Sequence, residues 1–244
     1  MPPLMQSLSL LSKLEMKKRF GSFFSFFKST KRFVCVLLIV VSIPHWWLYA
    51  DVTDKYRKLA KQAGTVYGDD AEKRILAWRK LISESRSLPI QEQLAVVNRF
   101  FNQMDFVNDI DLWAREDSSA THIEFLGMRA GDCEDFKIAK YFTLRELGVP
   151  DDKLRLVYVK ALSLNQHHMV LAYYHKPTSV PVLLDNIDKE LKPASKRNDL
   201  LPIYSFNAEN LWLSKEKGRG VLVGGSSRLS LWTDLNDRFN TMTN

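Results

Sequence analysis

The sequence has only two cysteines, Cys35 and Cys133, among 244 residues. Cys35 lies in an apolar run near the N-terminus, so we do not expect the two to form a disulfide. There is also no cluster of cysteine and histidine of the kind that binds zinc. Glycine is scarce as well, and the four glycines between Gly218 and Gly225 do not form a dinucleotide-binding motif, because no helix is predicted to follow them. No internal repeat or long low-complexity linker is present.

Acidic residues are nearly missing from the first fifty positions, which hold seven Lys or Arg and one acid, Glu15. The remaining 194 residues carry 28 basic and 27 acidic side chains. The formal charge of +7 therefore belongs mostly to the N-terminus, and the rest of the chain is nearly neutral. This distribution excludes a nucleic-acid-binding function for the folded part. A hydrophobic content of 45% is typical of a globular protein.

The N-terminal segment, residues 1–50, is predicted to be a signal peptide or a membrane anchor, and residues 51–244 to be one domain. An apolar run from Phe33 to Ile43 follows several basic residues, as in a signal sequence. Cleavage after Ala50 and retention as an uncleaved inner-membrane anchor both stay open, although the run is short of the roughly 20 residues that a span needs. Either alternative exports the domain.

Hydrophobic periodicity predicts helices first and strands afterwards. Helices are expected at 51–64, at 70–84 and from Pro89 to about Met104, followed by a polar loop over Asn108–Glu124. The strands expected after residue 150 are Leu154–Ala161, Leu171–Tyr174, Val180–Leu184, Leu211–Leu213 and Val221–Val223. Residues 190–200 read as a charged loop. The predicted fold class is α+β, with N-terminal helices packed on an antiparallel sheet.

Cys133 is predicted to lie at the start of the helix between these two groups. Gly131 permits a tight turn, and Asp132 with Asp135 has the spacing of a capping box. Gly148 is expected to end the helix. A thiol at a helix N-terminus is easier to ionise, because the helix dipole favours negative charge there. Cys133 is therefore a candidate nucleophile, and a small packed residue is the alternative.

A thiol nucleophile needs a base and a group that orients the base. If the hairpin turn is centred on Lys176-Pro177, paired residue numbers sum to about 353, so His168 and Asp185 lie directly opposite each other. This register predicts that their side chains touch. His167 is an equally available base, and His122 and His175 are expected in surface loops.

Three acids surround the candidate nucleophile: Asp132, Glu134 and Asp135. Each disfavours a thiolate, because a nearby negative charge raises the thiol pKa. They are either solvated carboxylates at a helix start or ligands of Ca²⁺, which prefers carboxylate and carbonyl oxygens.

Three motifs together resemble the bacterial transglutaminase-like cysteine proteases, in particular the LapG-type periplasmic proteases. They are Gly131–Phe136 (GDCEDF), His168–Leu171 (HMVL) and Leu184–Asn186 (LDN). The resemblance runs over roughly residues 85–215. The chain departs from the family at His122, where the family has proline, and at Lys137 and His167, where it has alanine.

The resemblance implies a papain-like, transglutaminase-type core with the catalytic triad on Cys133, His168 and Asp185. It implies calcium dependence, with Asp132 and Glu134 at the metal-site positions and Asp135 as a further candidate. The implied substrate is a large cell-surface repeat adhesin (LapA-like), cut near its N-terminus between two alanines to release the cell from its biofilm. An inner-membrane receptor (LapD-like) that binds cyclic di-GMP would sequester the protease. A transglutaminase-type acyl transferase and a non-enzymatic exported binding protein stay open as alternatives.

Overall fold

The computed structural model describes residues 46–107, 121–214 and 220–243. The chain divides into two compact units, Met1–Thr53 and Asp54–Asn244. The predicted signal peptide or anchor has its apolar run, Phe33–Ile43, outside the described residues. Among the residues described, no helix is both long and apolar enough to cross a bilayer.

Six α-helices are present in the described part of the chain: α1 Trp46–Tyr67, α2 Asp69–Ser85, α3 Ile90–Phe101, α4 His122–Met128, α5 Cys133–Glu146 and α6 Ser230–Thr243. The three helices predicted before residue 105 are confirmed, although α3 ends at Phe101 rather than near Met104. Its C-cap residue, Asn102, closes the last turn by donating its N–H to the Asn98 carbonyl.

Two sheets accompany these helices. A short parallel pair joins β1 Asp105–Phe106 to β2 Ala130–Gly131. The main sheet has seven antiparallel strands in the order β6-β5-β4-β3-β7-β8-β9. In chain order these are β3 Leu154–Ala161, β4 Gln166–Tyr173, β5 Val182–Leu184, β6 Lys192–Pro193, β7 Leu200–Phe206, β8 Asn210–Leu213 and β9 Val221–Gly225. The predicted α+β class is confirmed.

The helix α5 packs across β4 and β3, and buried residues on both sides of the sheet form two clusters. Met169 and Leu171 face the helices in the larger cluster, whereas Val170 and Ala172 lie in the smaller cluster on the opposite face. This alternation is the period of two that a strand imposes on its side chains. The larger cluster is tied to α2 by the indole of Trp78, which donates to Thr143 Oγ1 at 2.9 Å.

Several regions differ from the sequence-based expectation. The charged loop predicted at 190–200 contains the short strand β6, and β4 begins at Gln166 instead of Leu171. The end of the predicted polar loop is helix α4, which begins with a capping box formed by Thr121 and Glu124. Strand β7 was not predicted, because Pro202 interrupts its apolar pattern; the structure places that proline beside a β-bulge, where a missing N–H is tolerated. Helix α6 was not predicted either, and residues 108–120 of the expected loop lie outside the described part.

Candidate active site

Cys133 is the first residue of α5, as predicted. Asp132 caps the helix: its Oδ1 accepts the backbone N–H of Glu134 at 2.8 Å and that of Asp135 at 3.1 Å. Asp135 completes the box, since its Oδ2 accepts the N–H of Asp132 at 3.2 Å. Gly131 serves close approach rather than an unusual turn conformation. A Cβ at that position would lie 2.5 Å from Asp135 Oδ2.

His168 and Asp185 are in direct contact below the surface. Nε2 of His168 lies 2.7 Å from Asp185 Oδ1, and the two residues are 2% and 0% exposed. The predicted register is wrong by two residues, because Leu171 pairs with Leu184 and partner numbers sum to 355. A shift of two keeps every side chain on its face of the sheet. Asp185, just beyond β5, therefore reaches His168 as a diagonal neighbour instead of a direct one.

The three other histidines of the described residues lie away from Asp185. His167 points to the opposite face from His168, is exposed, and stacks on Tyr158 with ring centroids 5.2 Å apart. His122 is not in a surface loop but is 1% exposed in the core, 4.9 Å from the Trp78 ring. Burial there lowers the pKa of His122 to about 3. His175 is exposed, as expected.

The Cys133 thiol is half-buried against β4, where it accepts the backbone N–H of Met169, the residue after His168. Burial raises the pKa of the Cys133 thiol to about 12, and the charges of Asp132 and Glu134 act in the same direction. The expectation of an easily ionised thiol is therefore wrong for the resting site, because burial outweighs the helix dipole. The charge of Lys137 opposes this rise.

Lys137 is a fully buried cation one helical turn after Cys133. Its Nζ lies 3.5 Å from Asp185 Oδ1 and donates to Oδ1 of Asn186. Burial lowers the pKa of Lys137, and the nearby Asp185 charge partly offsets that effect. This lysine thus joins the nucleophile helix to the loop that carries Asp185.

Arg197 holds the other oxygen of Asp185. Its Nη1 donates to Asp185 Oδ2 at 3.0 Å, and its Nε and Nη2 donate to Asp199. Burial alone would raise the pKa of Asp185, but the His168 hydrogen bond and the Lys137 charge outweigh it and hold that pKa well below its usual range. Asp185 is therefore a buried, ionised carboxylate, and the sequence offered no signal for Arg197 within its predicted charged loop.

Lys140, two turns into α5, fixes the backbone at the same point. Its buried Nζ donates to Oδ1 of Asn98 at 2.8 Å, to Oδ1 of Asn102 at 2.7 Å and to the Asp185 carbonyl at 3.1 Å. Nδ2 of Asn102 donates to that same carbonyl at 2.8 Å. Lys140 of α5 and Asn102, the C-cap residue of α3, therefore hold the backbone carbonyl of Asp185 in place.

The predicted calcium ligands are only partly gathered. Asp132 and Glu134 are half-buried on either side of Cys133, and their carboxylates are of the type that Ca²⁺ prefers. Asp135 is 0% exposed and turned into the protein by the capping box. Within the described residues, no group of three His, Cys, Asp or Glu side chains is arranged to hold a metal. Asp132 and Glu134 thus fit a calcium ion as partial ligands, and Asp135, whose Oδ2 accepts the N–H of Asp132, stays a predicted ligand.

Comparison with known proteins places this geometry in context. The family described as bacterial transglutaminase-like cysteine proteinase (BTLCP) matches residues 70–218. The EGTA-treated form of Legionella pneumophila LapG is 44% identical, covers 75% of this chain and 96% of its own, and superposes with a TM-score of 0.67. The calcium-bound form is 43% identical, covers 75% of this chain and 98% of its own, and has a TM-score of 0.65. No curated protein matches the chain.

Proposed function

Because the chain belongs to the bacterial transglutaminase-like cysteine proteinases, we propose that it hydrolyses peptide bonds with a triad of Cys133, His168 and Asp185. One observation carries the proposal. A buried imidazole is held at 2.7 Å by a buried carboxylate, and the residue after that histidine donates its N–H to the thiol of Cys133. A nucleophile, a base and an orienting group are the parts that acyl transfer requires.

Asp185 fixes the tautomer of the base. Since its carboxylate is ionised, it accepts a hydrogen bond from Nε2–H of His168, and the lone pair of the neutral ring is then on Nδ1. Burial lowers the pKa of His168, so the imidazole is neutral and able to accept a proton near neutral pH. The resting pair is therefore a neutral thiol and a neutral imidazole.

The reaction then follows from these states. Nδ1 of His168 takes the thiol proton as the sulfur of Cys133 attacks the substrate carbonyl carbon, and the carbonyl π-electrons move to its oxygen. The resulting imidazolium protonates the leaving amine as the C–N bond breaks, which leaves a thioester. His168 next accepts a proton from water, whose oxygen attacks the thioester carbonyl, and the thiol leaves with a proton.

The oxyanion formed in each step needs hydrogen-bond donors. The Asp132 cap engages the N–H groups of Glu134 and Asp135 and not that of Cys133, the first N–H of α5. This N–H lies at the positive end of the helix dipole beside the reacting sulfur. We assign it as one oxyanion donor.

Calcium dependence is part of the proposal, supported by the existence of calcium-bound and EGTA-treated forms of Legionella pneumophila LapG. Asp132 and Glu134 would hold the ion. When bound, it would supply positive charge that offsets the two carboxylates flanking the thiol and would stiffen the turn before α5. Asp132 and Glu134 otherwise raise the pKa of Cys133.

The biological role follows the LapG relationship. We propose that the enzyme acts in the periplasm, exported or tethered by its N-terminal segment. Its substrate is the N-terminal region of a large repeat adhesin at the cell surface, and cutting it promotes release from a biofilm. An inner-membrane receptor that binds cyclic di-GMP controls access to the substrate. The support is 44% identity to LapG over 96% of that protein's length.

The test uses the full-length protein and a purified N-terminal fragment of the host's large repeat adhesin, with calcium present. We expect one discrete cut by the wild-type protein and none by Cys133→Ala. His168→Ala should lose a factor of about 10²–10⁴ in rate, the usual contribution of a general base. The matched control is His167→Ala, which removes the neighbouring histidine on the opposite face and should retain activity.

Two results would end the proposal. Cleavage by the Cys133→Ala protein would remove the thiol from the mechanism. Incorporation of a labelled primary amine into the fragment in place of hydrolysis would identify an acyl transferase instead.

A further inference from the structure

A pocket of about 220 Å³ lies between the start of α5, the sheet and the start of α6. Its inner wall is apolar and consists of Ile138, Met169, Phe206, Trp232 and Leu235, none of them more than 5% exposed. One water needs roughly 10–15 Å³. The pocket is therefore large enough to admit a side chain.

The pocket adjoins Cys133 from two elements. Glu134 lines it and directly follows the cysteine in α5. Met169 lines it as well, and the backbone N–H of Met169 donates to the Cys133 thiol. An extended peptide advances by about 3.3 Å per residue. A substrate with its scissile carbonyl at Cys133 therefore carries the side chain of a nearby residue to the mouth of the pocket.

The inner wall is rigid. The Trp232 ring stacks on Phe142 with centroids 5.8 Å apart and meets the rings of Tyr141 and Phe206 edge-on at 5.6 and 5.3 Å. Three aromatic contacts fix the indole without a ligand. The pocket is thus formed before a substrate binds, which lowers the entropic cost of binding.

The mouth of the pocket differs in character. Glu134 is half-buried, and Arg228 and Ser230 are exposed, so a polar rim surrounds the apolar interior. Binding sites for extended peptides commonly combine an apolar interior that selects a side chain with polar groups that orient the chain.

We propose that this pocket is a specificity subsite that receives one large apolar side chain of the polypeptide substrate, near the scissile bond. The inference rests on the proposed proteolytic function and adds to it a requirement on the substrate sequence. Helix α6 is then a specificity element, because Trp232 and Leu235 form much of the inner wall.

The experiment compares Ser230→Trp, which places an indole at the mouth from an exposed position, with Ser83→Trp, which adds the same indole at an exposed serine of α2 outside the pocket. The probes are fluorogenic peptides with a central Ala-Ala in which each flanking position carries Leu, Ser or Asp in turn. We expect the wild-type and Ser83→Trp proteins to prefer Leu at one position by about 10- to 100-fold in kcat/KM. Ser230→Trp should lose most of that preference through a raised KM.

Alkylation of Cys133 by iodoacetamide reports on the site without needing the pocket, and its rate should be equal in the two variants. If Ser230→Trp fails to fold, Arg228→Trp places an indole at the same mouth from another exposed position. The proposal is overturned if the wild-type protein cleaves the peptides with no apolar preference, or if the blocked variants keep that preference.

Failure of the proteolytic function gives a different result. In that case the wild-type protein cleaves neither the peptides nor the adhesin fragment, even though Cys133 alkylates. Peptide affinity for the Cys133→Ala protein separates the two cases, because binding needs no turnover. Tighter binding of the Leu peptide that Ser230→Trp abolishes supports the subsite, and equal binding of all the peptides rejects it.

Discussion

Replacement of Arg197 by methionine tests whether this buried cation stabilises the protein by pairing with the charged carboxylate of Asp185. The guanidinium is 6% exposed and supplies a hydrogen bond of 3.0 Å to Asp185 Oδ2. The other contacts of that carboxylate are made by Oδ1, with His168 at 2.7 Å, the N–H groups of Asn186 and Ile187 at 2.7 and 3.3 Å, and Lys137 at 3.5 Å. Methionine keeps the apolar stem but leaves Oδ2 buried without this donor.

The contacts that Asp185 keeps in the variant determine the expected loss in the free energy of unfolding. Removing one partner of a buried ion pair costs roughly 3–5 kcal/mol when the other charge is left uncompensated. Here Lys137 stays 3.5 Å from Asp185. An unsatisfied buried acceptor costs about 1–3 kcal/mol. We therefore expect Arg197→Met to lower the free energy of unfolding by about 2–3 kcal/mol, the upper part of that range.

The measurement is urea unfolding of the full-length protein, read as a change in midpoint at constant slope. The matched control is Asp199→Ala, which removes a more exposed partner of Arg197. That side chain is 42% exposed, so its loss should cost no more than about 1 kcal/mol. In an Asp185→Asn background, Arg197→Met should cost much less than it does alone. The reasoning would be refuted if Arg197→Met and Asp199→Ala lowered the free energy of unfolding equally. Strict additivity of Arg197→Met and Asp185→Asn in the double-mutant cycle would refute it as well.

Three further predictions concern the same region. Asp132→Asn keeps a capping side chain but removes a carboxylate, so it should weaken calcium binding by calorimetry and lower activity without a change in unfolding midpoint; full activity in excess chelator would contradict a role for the metal. The depressed pKa of Asp185 contributes stability that is present above the unfolded value of about 3.9 and is lost as pH falls through the folded value. Asp185→Asn should therefore flatten the fall in stability below pH 4, where a wild-type slope no steeper than that of the variant would count against an ionised Asp185. Lys140→Met leaves the side-chain Oδ1 atoms of Asn98 and Asn102 and the backbone carbonyl of Asp185 without their Nζ donor, and should destabilise the protein by about 2–3 kcal/mol in urea unfolding and lower kcat; an unchanged kcat would show that the contact of Lys140 with the Asp185 backbone is dispensable.

The charges around the Cys133 thiol and those around Asp185 have opposite signs. Two acids, Asp132 and Glu134, flank the thiol, whereas two cations, Lys137 and Arg197, hold Asp185. The hydrogen bond from His168 and the charge of Lys137 lower the pKa of Asp185, whereas burial, together with the charges of Asp132 and Glu134, raises the pKa of the Cys133 thiol. In the proposed reaction, proton transfer to His168 accompanies the attack on the substrate.

Local patterns account for what the sequence alone determined. The start of α5 at Cys133 depends on Asp132 and Asp135, which are three residues apart, and so a capping box visible in the sequence specifies it. Likewise, a period of two placed β3 at Leu154–Ala161 without knowledge of its neighbours. The capping box of Thr121 and Glu124 is equally visible in the sequence, and this pattern also predicts the start of α4.

Only the tertiary structure decided which charges surround Asp185. Lys137 and Lys140 look like ordinary helix lysines, and Arg197 lies twelve residues further along a polar segment, so no local pattern marks them as buried. The register of β4 and β5 likewise came from the structure, because residue counting misjudged it by two. Burial and ionic contacts between distant segments depend on the whole packed chain, because the free energy of a buried charge is set by its surroundings and not by its neighbours in sequence.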